Sequence, residues 1–301
     1  MLKGLKRQKA MICQICPRKC NALRDENGNA GGRCKAGILP RVARAGLHYF
    51  EEPFISGKNG SGTVFFSGCS LSCVYCQNEL ISQKSYGKDI SVARLAEIFR
   101  ELTESGAHNI NLVTPTHFSY AIKEALDIYR PPIPVIYNTG GYELASVIRS
   151  LENYIDVYLF DLKYLNRENA YKYSGAADYP EYAVSAIREA YRQKGECVFE
   201  NGMIKTGVVI RHLLLPAATN EAIDIFDFVH KNTPGAYFSI MSQYIPLGKA
   251  KTMPPINRKV TEREYDKVLD HIIDSGFNNC FFQEKSSADT CFIPNFDLSG
   301  V

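Results

Sequence analysis

Three closely spaced cysteines constrain this chain more than any other feature of its sequence. Cys69, Cys73 and Cys76 form a C-x3-C-x2-C pattern directly after the apolar run 63–66, which is typical of a β-strand. Thiolates are soft ligands, and several of them in one loop favour an iron–sulfur cluster or zinc. A structural zinc ion is normally bound by four protein ligands, whereas a four-iron cluster held by three thiolates leaves one iron open. The pattern therefore favours an iron–sulfur cluster that can bind an outside molecule.

The residue before the third cysteine, Tyr75, completes a C-x3-C-x-Φ-C motif in which Φ is aromatic. This motif resembles that of the radical S-adenosylmethionine (SAM) superfamily. The resemblance implies a [4Fe-4S] cluster on Cys69, Cys73 and Cys76, with SAM on the open iron and Tyr75 beside the cofactor. In that superfamily the reduced cluster passes one electron to SAM, which splits into methionine and a 5′-deoxyadenosyl radical that abstracts hydrogen. Buried or zinc-bound cysteines are the alternative interpretation.

The composition places the chain among ordinary globular proteins. It has 301 residues, of which 45% are hydrophobic and 22% charged. Its apolar runs are shorter than the roughly 18 residues of a membrane-spanning helix, and its basic N-terminal segment lacks the apolar region of a secretory signal. Ten cysteines without an export signal favour a reducing compartment and metal binding over disulfides. We therefore expect a cytoplasmic protein without a membrane partner.

A second set of cysteines lies near the N-terminus. Cys13, Cys16, Cys20 and Cys34 have the spacing C-x2-C-x3-C-x13-C, and glycines between the last two suit the turns that bring a fourth ligand back. Four ligands make a closed site, which suits either zinc or a fully ligated auxiliary iron–sulfur cluster. The spacing does not decide between these metals. Four unrelated cysteines are the alternative.

Residues 1–45 are strongly basic, with eleven Lys and Arg residues against Asp25 and Glu26. Such an arm is typical of segments that bind an acidic partner or nucleic acid. The alternative is charge balance, because a metal held by four thiolates is a negative centre. The pI of the chain, about 8.2, is below the value of roughly 9 expected of a dedicated nucleic-acid-binding domain. We therefore favour charge balance and do not expect a nucleic-acid partner.

Strand-like and helix-like segments alternate after residue 61, which indicates a parallel sheet built from βα units. The predicted strands cover residues 62–67, 109–114, 133–138, 156–162, 207–215 and 236–243. The predicted helices cover residues 91–105, 117–129, 143–152, 179–194, 220–231 and 261–274. The resemblance implies an α/β fold, a partial (β/α)6 TIM-type barrel with a small N-terminal cysteine-rich metal-binding module. We expect the module and its linker at 1–60, the barrel at 61–275, and a C-terminal tail packing on the barrel at 276–301.

Polar side chains occur at the carboxyl ends of the predicted strands, where βα barrels carry their functional residues. Asp161 and Lys163 are two positions apart, so they share one face of their strand and, if buried, must be paired or bind something charged. Arg211 could hold a carboxylate by a two-pronged hydrogen bond. Other candidates at strand ends are Thr114, Thr116, His117 and Asn138. Upstream of the barrel, a metal site or the SAM pocket could involve His48, Glu51 and Glu52.

Residues 13–275 resemble a subgroup related to pyruvate formate-lyase activating enzymes, whose Asp-x-Lys element matches Asp161 and Lys163. The resemblance implies that Asp161 assists a monovalent cation beside SAM and that Lys163 lies by SAM. The subgroup's Gly-Gly-Glu segment, which holds the SAM amino group, is replaced here by residues 114–117, whose hydroxyls and imidazole could accept that hydrogen bond. We predict catalytic roles for Asp161, Lys163 and Arg211. We predict cofactor binding by Tyr75, Thr114, Thr116, His117, Asn138 and Asp161.

The resemblance implies a radical SAM oxidoreductase that receives electrons from a reductant such as flavodoxin or ferredoxin. The first candidate function is activation of a glycyl radical protein by hydrogen abstraction. The second is radical chemistry on a small molecule or peptide, because the four-cysteine module is absent from the simplest activating enzymes. The third is a non-catalytic metal-binding adaptor that uses the basic N-terminal segment.

Overall fold

The computed structural model describes residues 10–26, 31–282 and 294–301, and a mostly parallel sheet organises them. The strands are β1 (Ala10–Ile12), β2 (Leu23–Asp25), β3 (Arg41–His48), β4 (Ser61–Phe66), β5 (Lys88–Asp89), β6 (Ile110–Val113), β7 (Val135–Thr139), β8 (Val157–Asp161), β9 (Val198–Glu200), β10 (Met203–Leu213), β11 (Tyr237–Met241) and β12 (Cys280–Phe282). Seven neighbouring strands run parallel in the order β4-β6-β7-β8-β10-β11-β12. β3 lies antiparallel to β4, β5 to β3 and β9 to β10, while β1 and β2 form a separate hairpin.

Helices connect the parallel strands. They are α1 (Pro53–Ser56), α2 (Glu79–Ser82), α3 (Val92–Glu104), α4 (Ser119–Ile128), α5 (Ala145–Ser150), α6 (Arg167–Ser174), α7 (Tyr179–Lys194), α8 (Thr219–Asn232) and α9 (Glu262–Asp274), with 3-10 turns at Thr116–Phe118 and Gly248–Thr252. α3 shows why these segments are helical, because Leu95, Phe99 and Leu102 are buried at helical spacing. The Ser91 side chain caps this helix by accepting a hydrogen bond from the Arg94 N–H.

This architecture confirms the predicted α/β fold with a mostly parallel sheet. All six predicted strands and all six predicted helices are present, within a few residues of their predicted bounds. The sheet remains open in the described part of the chain, with β12 and β5 at its edges. β12 adds a seventh parallel strand, and α6 and β9 occupy segments for which the sequence predicts no element.

The strand β3 links the N-terminal part of the chain to the sheet. It pairs with β4 from Val42 to His48, and residues 294–301 pack against it. The Ala45 N–H donates a hydrogen bond to the Ser299 carbonyl at 2.9 Å. β3 is therefore hydrogen-bonded both to the first strand of the predicted barrel and to the predicted C-terminal tail.

The division of the chain at residues 60 and 275 stays a prediction. Two strands from outside those bounds, β3 and β12, belong to the same sheet as the strands within them. Residues 1–9 and 27–30 of the predicted module, and residues 283–293 of the predicted tail, lie outside the described residues. Every helix in the described part is too short or too polar to cross a lipid bilayer.

The central strands β4 and β7 are buried along their whole length. Strands covered on both faces are a property of parallel sheets with crossover helices. Polar side chains at their carboxyl ends therefore need partners inside the protein or in a bound ligand.

Candidate functional site

The cysteine loop, residues 69–76, follows β4 at the edge of the sheet where the parallel strands end. Cys69, Cys73 and Cys76 are half-buried in it and form no disulfide. The Cys69 sulfur lies 3.4 Å from the Leu71 N–H. The Cys73 sulfur lies 3.0 Å from the Ser174 hydroxyl, and the Cys76 sulfur lies 3.2 Å from the Ser82 hydroxyl. Donors around metal-bound sulfur orient the ligand and tune the metal. The loop therefore has the surroundings of a ligand set.

Burial changes the acidity of these thiols. It raises the pKa of Cys69 well above its ordinary value and that of Cys76 to about 11, and the nearby Lys163 ammonium opposes part of each increase. Thiols of this kind ionise when a metal cation binds them. The loop is therefore better suited to hold metal than to keep free thiolates.

The side chain of Tyr75 is tied into a chain of buried hydroxyls. Its hydroxyl lies 2.6 Å from that of Tyr164, which in turn lies 2.9 Å from the Ser174 hydroxyl beside Cys73. The aromatic residue of the motif and the Cys73 sulfur are thus joined through Tyr164 and Ser174. This network fixes the loop from its inner side.

The end of β8 carries an ion pair that points into the interior. The Lys163 ammonium donates to the Asp161 carboxylate at 2.8 Å, and the Arg211 guanidinium of β10 donates to its other oxygen at 2.9 Å. The three side chains have exposed fractions of 13 to 20%. Burial raises the pKa of Asp161, but the two cations lower it further, to about 2. The carboxylate is therefore ionised throughout the physiological range.

Arg211 also binds Glu51, which follows β3, and Asn138 of β7. Its guanidinium donates to Glu51 at 2.9 Å and to the Asn138 side-chain oxygen at 2.8 Å. The Asn138 amide in turn donates to Glu51 at 3.2 Å. The carboxylates that Arg211 holds are therefore the chain's own, Asp161 and Glu51. Asn138 likewise faces this interior network.

The loops after β6 and β7 are joined by a carboxylate, Glu143, which is not among the predicted site residues. Glu143 is fully buried and accepts hydrogen bonds from the hydroxyls of Thr116, at 2.5 Å, and of Thr139. Burial raises the pKa of Glu143 to about 7 against the effect of these donors. Glu143 follows Gly140 and Gly141, and this Gly-Gly-x-Glu segment is the signal that could have identified it.

The other predicted residues of the loop after β6 also have partners within the protein. The His117 imidazole donates through Nε2 to the Ser67 carbonyl at 2.8 Å, and burial lowers its pKa to about 3. The neutral ring then presents Nδ1 as a buried acceptor that has no hydrogen-bond partner among the described residues. Thr114 has a left-handed backbone conformation, with φ of 57°, and its N–H donates to the Asn138 carbonyl at 2.8 Å.

His48, at the end of β3, packs edge-on between the rings of Phe50 and Phe65.

Comparison with known proteins decides the family. The family model of the radical SAM superfamily matches residues 63–229, more than half of the chain. The chain belongs to the radical SAM superfamily. Membership implies a [4Fe-4S] cluster and SAM as cofactors and an enzyme of the radical SAM type.

Individual relatives agree with this assignment. An uncharacterized protein of Methanocaldococcus jannaschii, MJ0674, is 33% identical over 269 residues, which cover 86% of this radical SAM chain and 73% of the relative. The structure of SuiB of Streptococcus suis bound to the precursor peptide SuiA has a TM-score of 0.51 and 14% sequence identity. The match covers 72% of this chain and 47% of the SuiB chain. The FeFe-hydrogenase maturase HydG of Carboxydothermus hydrogenoformans has a TM-score of 0.50 and 14% sequence identity. The match covers 77% of this chain and 56% of the HydG chain. The chain spans about half the length of these solved structures, which show its fold.

The cysteine loop fits the cluster of a radical SAM protein in its chemistry: three thiols, each with a neighbouring donor, beside a lysine. No three His, Cys, Asp or Glu side chains of residues 10–26, 31–282 and 294–301 converge on a point that suits one metal ion. A four-iron cluster binds each thiolate through a different iron, so its ligands stand farther apart than those of a single ion. The individual ligand assignments stay predictions.

The four-cysteine module lies against the cysteine loop of this radical SAM fold. Cys13, Cys16 and Cys34 are buried and Cys20 is exposed. Their thiols are close enough to influence each other, since the neighbouring sulfurs add to the effect of burial that raises the pKa of Cys16 to about 12. A Cβ on Gly68 would come within 2.3 Å of the Cys34 carbonyl oxygen. The backbones of the two cysteine sets are therefore in contact.

Two arginines of the module reach into the barrel. The Arg18 guanidinium donates to the Ser70 carbonyl of the cysteine loop at 2.9 Å. The fully buried Arg24 donates to the His117 carbonyl at 2.7 Å and to the Ala36 carbonyl at 2.9 Å. Both belong to the basic segment 1–45, for which charge balance around a metal was the expected role. Their partners show that part of this positive charge binds carbonyl oxygens inside the protein.

Proposed function

We propose that this protein reductively cleaves SAM at a [4Fe-4S] cluster bound by Cys69, Cys73 and Cys76, and activates a glycyl radical protein by hydrogen abstraction. The observation that carries the proposal is the placement of the cysteine loop at the carboxyl edge of the sheet, with the ionised Asp161–Lys163 pair beside it. When bound, the cluster supplies the electron that splits the SAM carbon–sulfur bond.

The residues of the chain supply position and charge for this chemistry. Lys163 places a cation near the thiols of Cys69 and Cys76, which favours their ionised, metal-binding form. Asp161 holds that cation in place, and its second oxygen is held by Arg211. In the proposed roles Lys163 lies by SAM and Asp161 assists a monovalent cation.

The rim of the SAM site is formed by the loops after β6 and β7 in this proposal. Thr114, Thr116, His117 and Asn138 hold SAM, and Tyr75 supports the cluster from inside. Glu143 acts as a positioning residue, because its carboxylate fixes the hydroxyls of Thr116 and Thr139 and so joins the two loops. The left-handed turn at Thr114 brings the first of these loops back across the strand ends.

The four-cysteine site is proposed as the binding site of zinc or an auxiliary cluster. Support comes from the nearness of the thiols: besides burial, Cys13 and Cys34 raise the pKa of Cys16, and Cys13 and Cys20 raise that of Cys34. The turns that carry them are closed by backbone hydrogen bonds from the Asn21 N–H to the Cys13 carbonyl at 3.1 Å and from the Lys19 N–H to the Cys16 carbonyl at 3.0 Å. Determining the iron, sulfide and zinc content of the wild-type protein and of Cys13→Ala separates the two metals. Loss of zinc alone from the variant indicates a zinc site, and loss of iron and sulfide indicates an auxiliary cluster.

The first test is the release of 5′-deoxyadenosine from SAM by anaerobically reconstituted, dithionite-reduced protein. We expect the wild-type protein to release it, Cys73→Ala to release none, and Cys197→Ala to match the wild type. Cys197 is a matched control, since its partly buried thiol lies far along the chain and donates to the Val208 carbonyl at 3.2 Å. Wild-type protein that forms no cluster would overturn the proposal and favour a non-catalytic metal-binding adaptor.

The choice of substrate needs a second measurement. We expect electron paramagnetic resonance to detect a glycyl radical when the reduced protein and SAM are incubated with a glycyl radical protein encoded nearby. SAM cleavage without a glycyl signal, but with consumption of a peptide or small molecule, would assign the radical to that other class of substrate.

A further inference from the structure

A groove of about 670 Å³ opens on the outer side of the cysteine loop. Leu71, Ser72 and Val74 of that loop form one wall. We call it the basic groove, because the charged side chains that line it are Arg33, Lys35, Lys172, Lys249 and Glu79. Four cations face a single carboxylate there.

The cations of the basic groove are exposed to solvent, and two of them also bind atoms of the groove, since Arg33 donates to the Ser72 hydroxyl and Lys35 to the Gln83 carbonyl. Arg33, Lys35, Lys172 and Lys249 are all exposed. The Tyr171 ring, exposed to 69%, lies on the rim, and Tyr and Arg are enriched where proteins bind other proteins. The lining comes from several separate segments of the chain and is partly open to solvent. Such a surface fits a macromolecule with negative charge.

The wall between the basic groove and the predicted cluster ligands is thin. Ser82 lines the groove, and its hydroxyl lies 3.2 Å from the Cys76 sulfur. Gln83 also lines the groove, and its side-chain amide donates to the Cys73 carbonyl at 3.1 Å. A molecule in the groove would therefore be separated from two of the three ligands by one layer of side chains.

We propose that the basic groove docks an acidic protein that carries one electron, and that the electron reaches the cluster across this wall. The inference rests on the proposed function, since it requires a cluster on the cysteine loop. The carrier loses one electron and the cluster gains it, so no bond is formed or broken and no proton has to cross. Complementary charge would steer the carrier to the groove and speed its association.

The test compares two double variants of the reconstituted protein. Lys172→Glu/Lys249→Glu reverses two charges in the groove and leaves untouched Lys35, whose ammonium donates to the Gln83 carbonyl at 3.2 Å. Lys58→Glu/Lys231→Glu reverses two exposed charges that do not line the groove, so both variants change net charge equally. The probe is an acidic flavodoxin, and the readouts are its calorimetric binding and 5′-deoxyadenosine release driven by its reduced form or by dithionite.

We expect the groove variant to bind flavodoxin at least about tenfold more weakly than wild type, with a similar loss in flavodoxin-driven release. Dithionite-driven release should be unchanged in both variants, and the control variant should bind like wild type. Raising the ionic strength from about 0.05 M to about 0.5 M should weaken wild-type binding, because surface charges are then screened.

Equal binding by both variants, or no binding of flavodoxin to the wild type, would overturn the docking proposal. An equal loss of dithionite-driven release in the groove variant would also overturn it, because the lysines would then serve the cluster itself. Preferential loss of RNA binding by the groove variant would assign the groove to nucleic acid.

The neutral variant Lys172→Gln/Lys249→Gln should bind flavodoxin with an affinity between those of the wild type and the charge-reversed variant. Failure of dithionite to drive release from the wild type would refute the proposed function instead, while the binding comparison would still test the groove.

Discussion

At the scale of single residues, Arg211 determines the charge balance of the barrel interior. Its guanidinium binds Asp161 and Glu51, both at 2.9 Å, and these carboxylates come from β8 and from the segment after β3. Burial lowers the pKa of Arg211, but Asp161, Glu51 and Glu52 raise it above its ordinary value. The guanidinium is therefore permanently charged, and its main role in the free protein is to neutralise these acids.

Arg211→Met should lower the free energy of unfolding by about 3 to 5 kcal/mol, because removing one partner leaves buried carboxylates without a cation. Arg167→Met is the control, since Arg167 pairs with Glu181 at 2.5 Å on the surface and should cost less than about 1 kcal/mol. Urea unfolding followed by circular dichroism measures both. Equal losses in the two variants would show that the interior network contributes no more than a surface ion pair.

Part of this site could be predicted from local sequence. The two-residue spacing of Asp161 and Lys163 indicated a shared strand face, and the two side chains are paired in the structure. Glu51 could not be placed, because it lies in an irregular loop 160 positions before its partner Arg211. Glu143 was missed because its partner Thr116 belongs to a different loop.

At the scale of elements, the contact between the four-cysteine module and the cysteine loop depends on a glycine. Gly68 has φ of 90°, and a Cβ there would lie 2.3 Å from the Cys34 carbonyl oxygen. An added methyl group must therefore separate the two backbones. Gly106 has a similar φ of 81° but open space around it, which makes it a matched control.

Gly68→Ala should reduce the iron bound per chain after reconstitution and lower the melting temperature, because the loop that carries Cys69 is displaced. Gly106→Ala should bind iron like the wild type and cost only the roughly 1 to 2 kcal/mol of a left-handed non-glycine residue. Iron analysis and thermal unfolding check both variants. Normal iron content in Gly68→Ala would mean that the two cysteine sets can separate without consequence for the loop.

The long periodic elements were predicted from sequence, whereas β9 and α6 were missed although local signals for both were present. Helices such as α3 repeat their apolar residues over several turns, so the pattern identifies them. β9 has only three residues, yet a signal was present, since Asn201 and Gly202 form a two-residue turn with positive φ between β9 and β10. The capping signals of α6 were also present, with Asn166 before the helix and a left-handed Gly175 after it.

At the scale of the whole molecule, buried acids make stability depend on pH. Burial raises the pKa of Glu143 from its ordinary value of 4.5 to about 7. Between these values the folded protein keeps a proton that the unfolded chain releases. The folded state then binds more protons than the unfolded state, so the free energy of unfolding contributed by Glu143 falls as pH rises through this range.

Relative to Glu143→Gln, the wild-type protein should therefore lose about 3 kcal/mol of unfolding free energy between pH 4.5 and pH 7.5. The comparison uses urea unfolding of both proteins at several pH values, so that groups common to both cancel. A constant difference between the two proteins across this range would show that Glu143 ionises in the folded state as it does in water.

The contact of residues 294–301 with β3 has a consequence for how the protein folds during synthesis on the ribosome. The Arg44 guanidinium donates to the Asn295 carbonyl, 251 positions later in the chain, and the Ala43 carbonyl accepts from the Leu298 N–H. Contacts between distant positions form late in folding, and chains begin to fold as they are synthesised. A nascent chain would have made every strand from β4 to β12 before residues 294–301 could cover β3. The joint between the four-cysteine module and the barrel is therefore covered only after the strands of the sheet have been made, and until then part of the β3 edge stays open beside the predicted metal ligands.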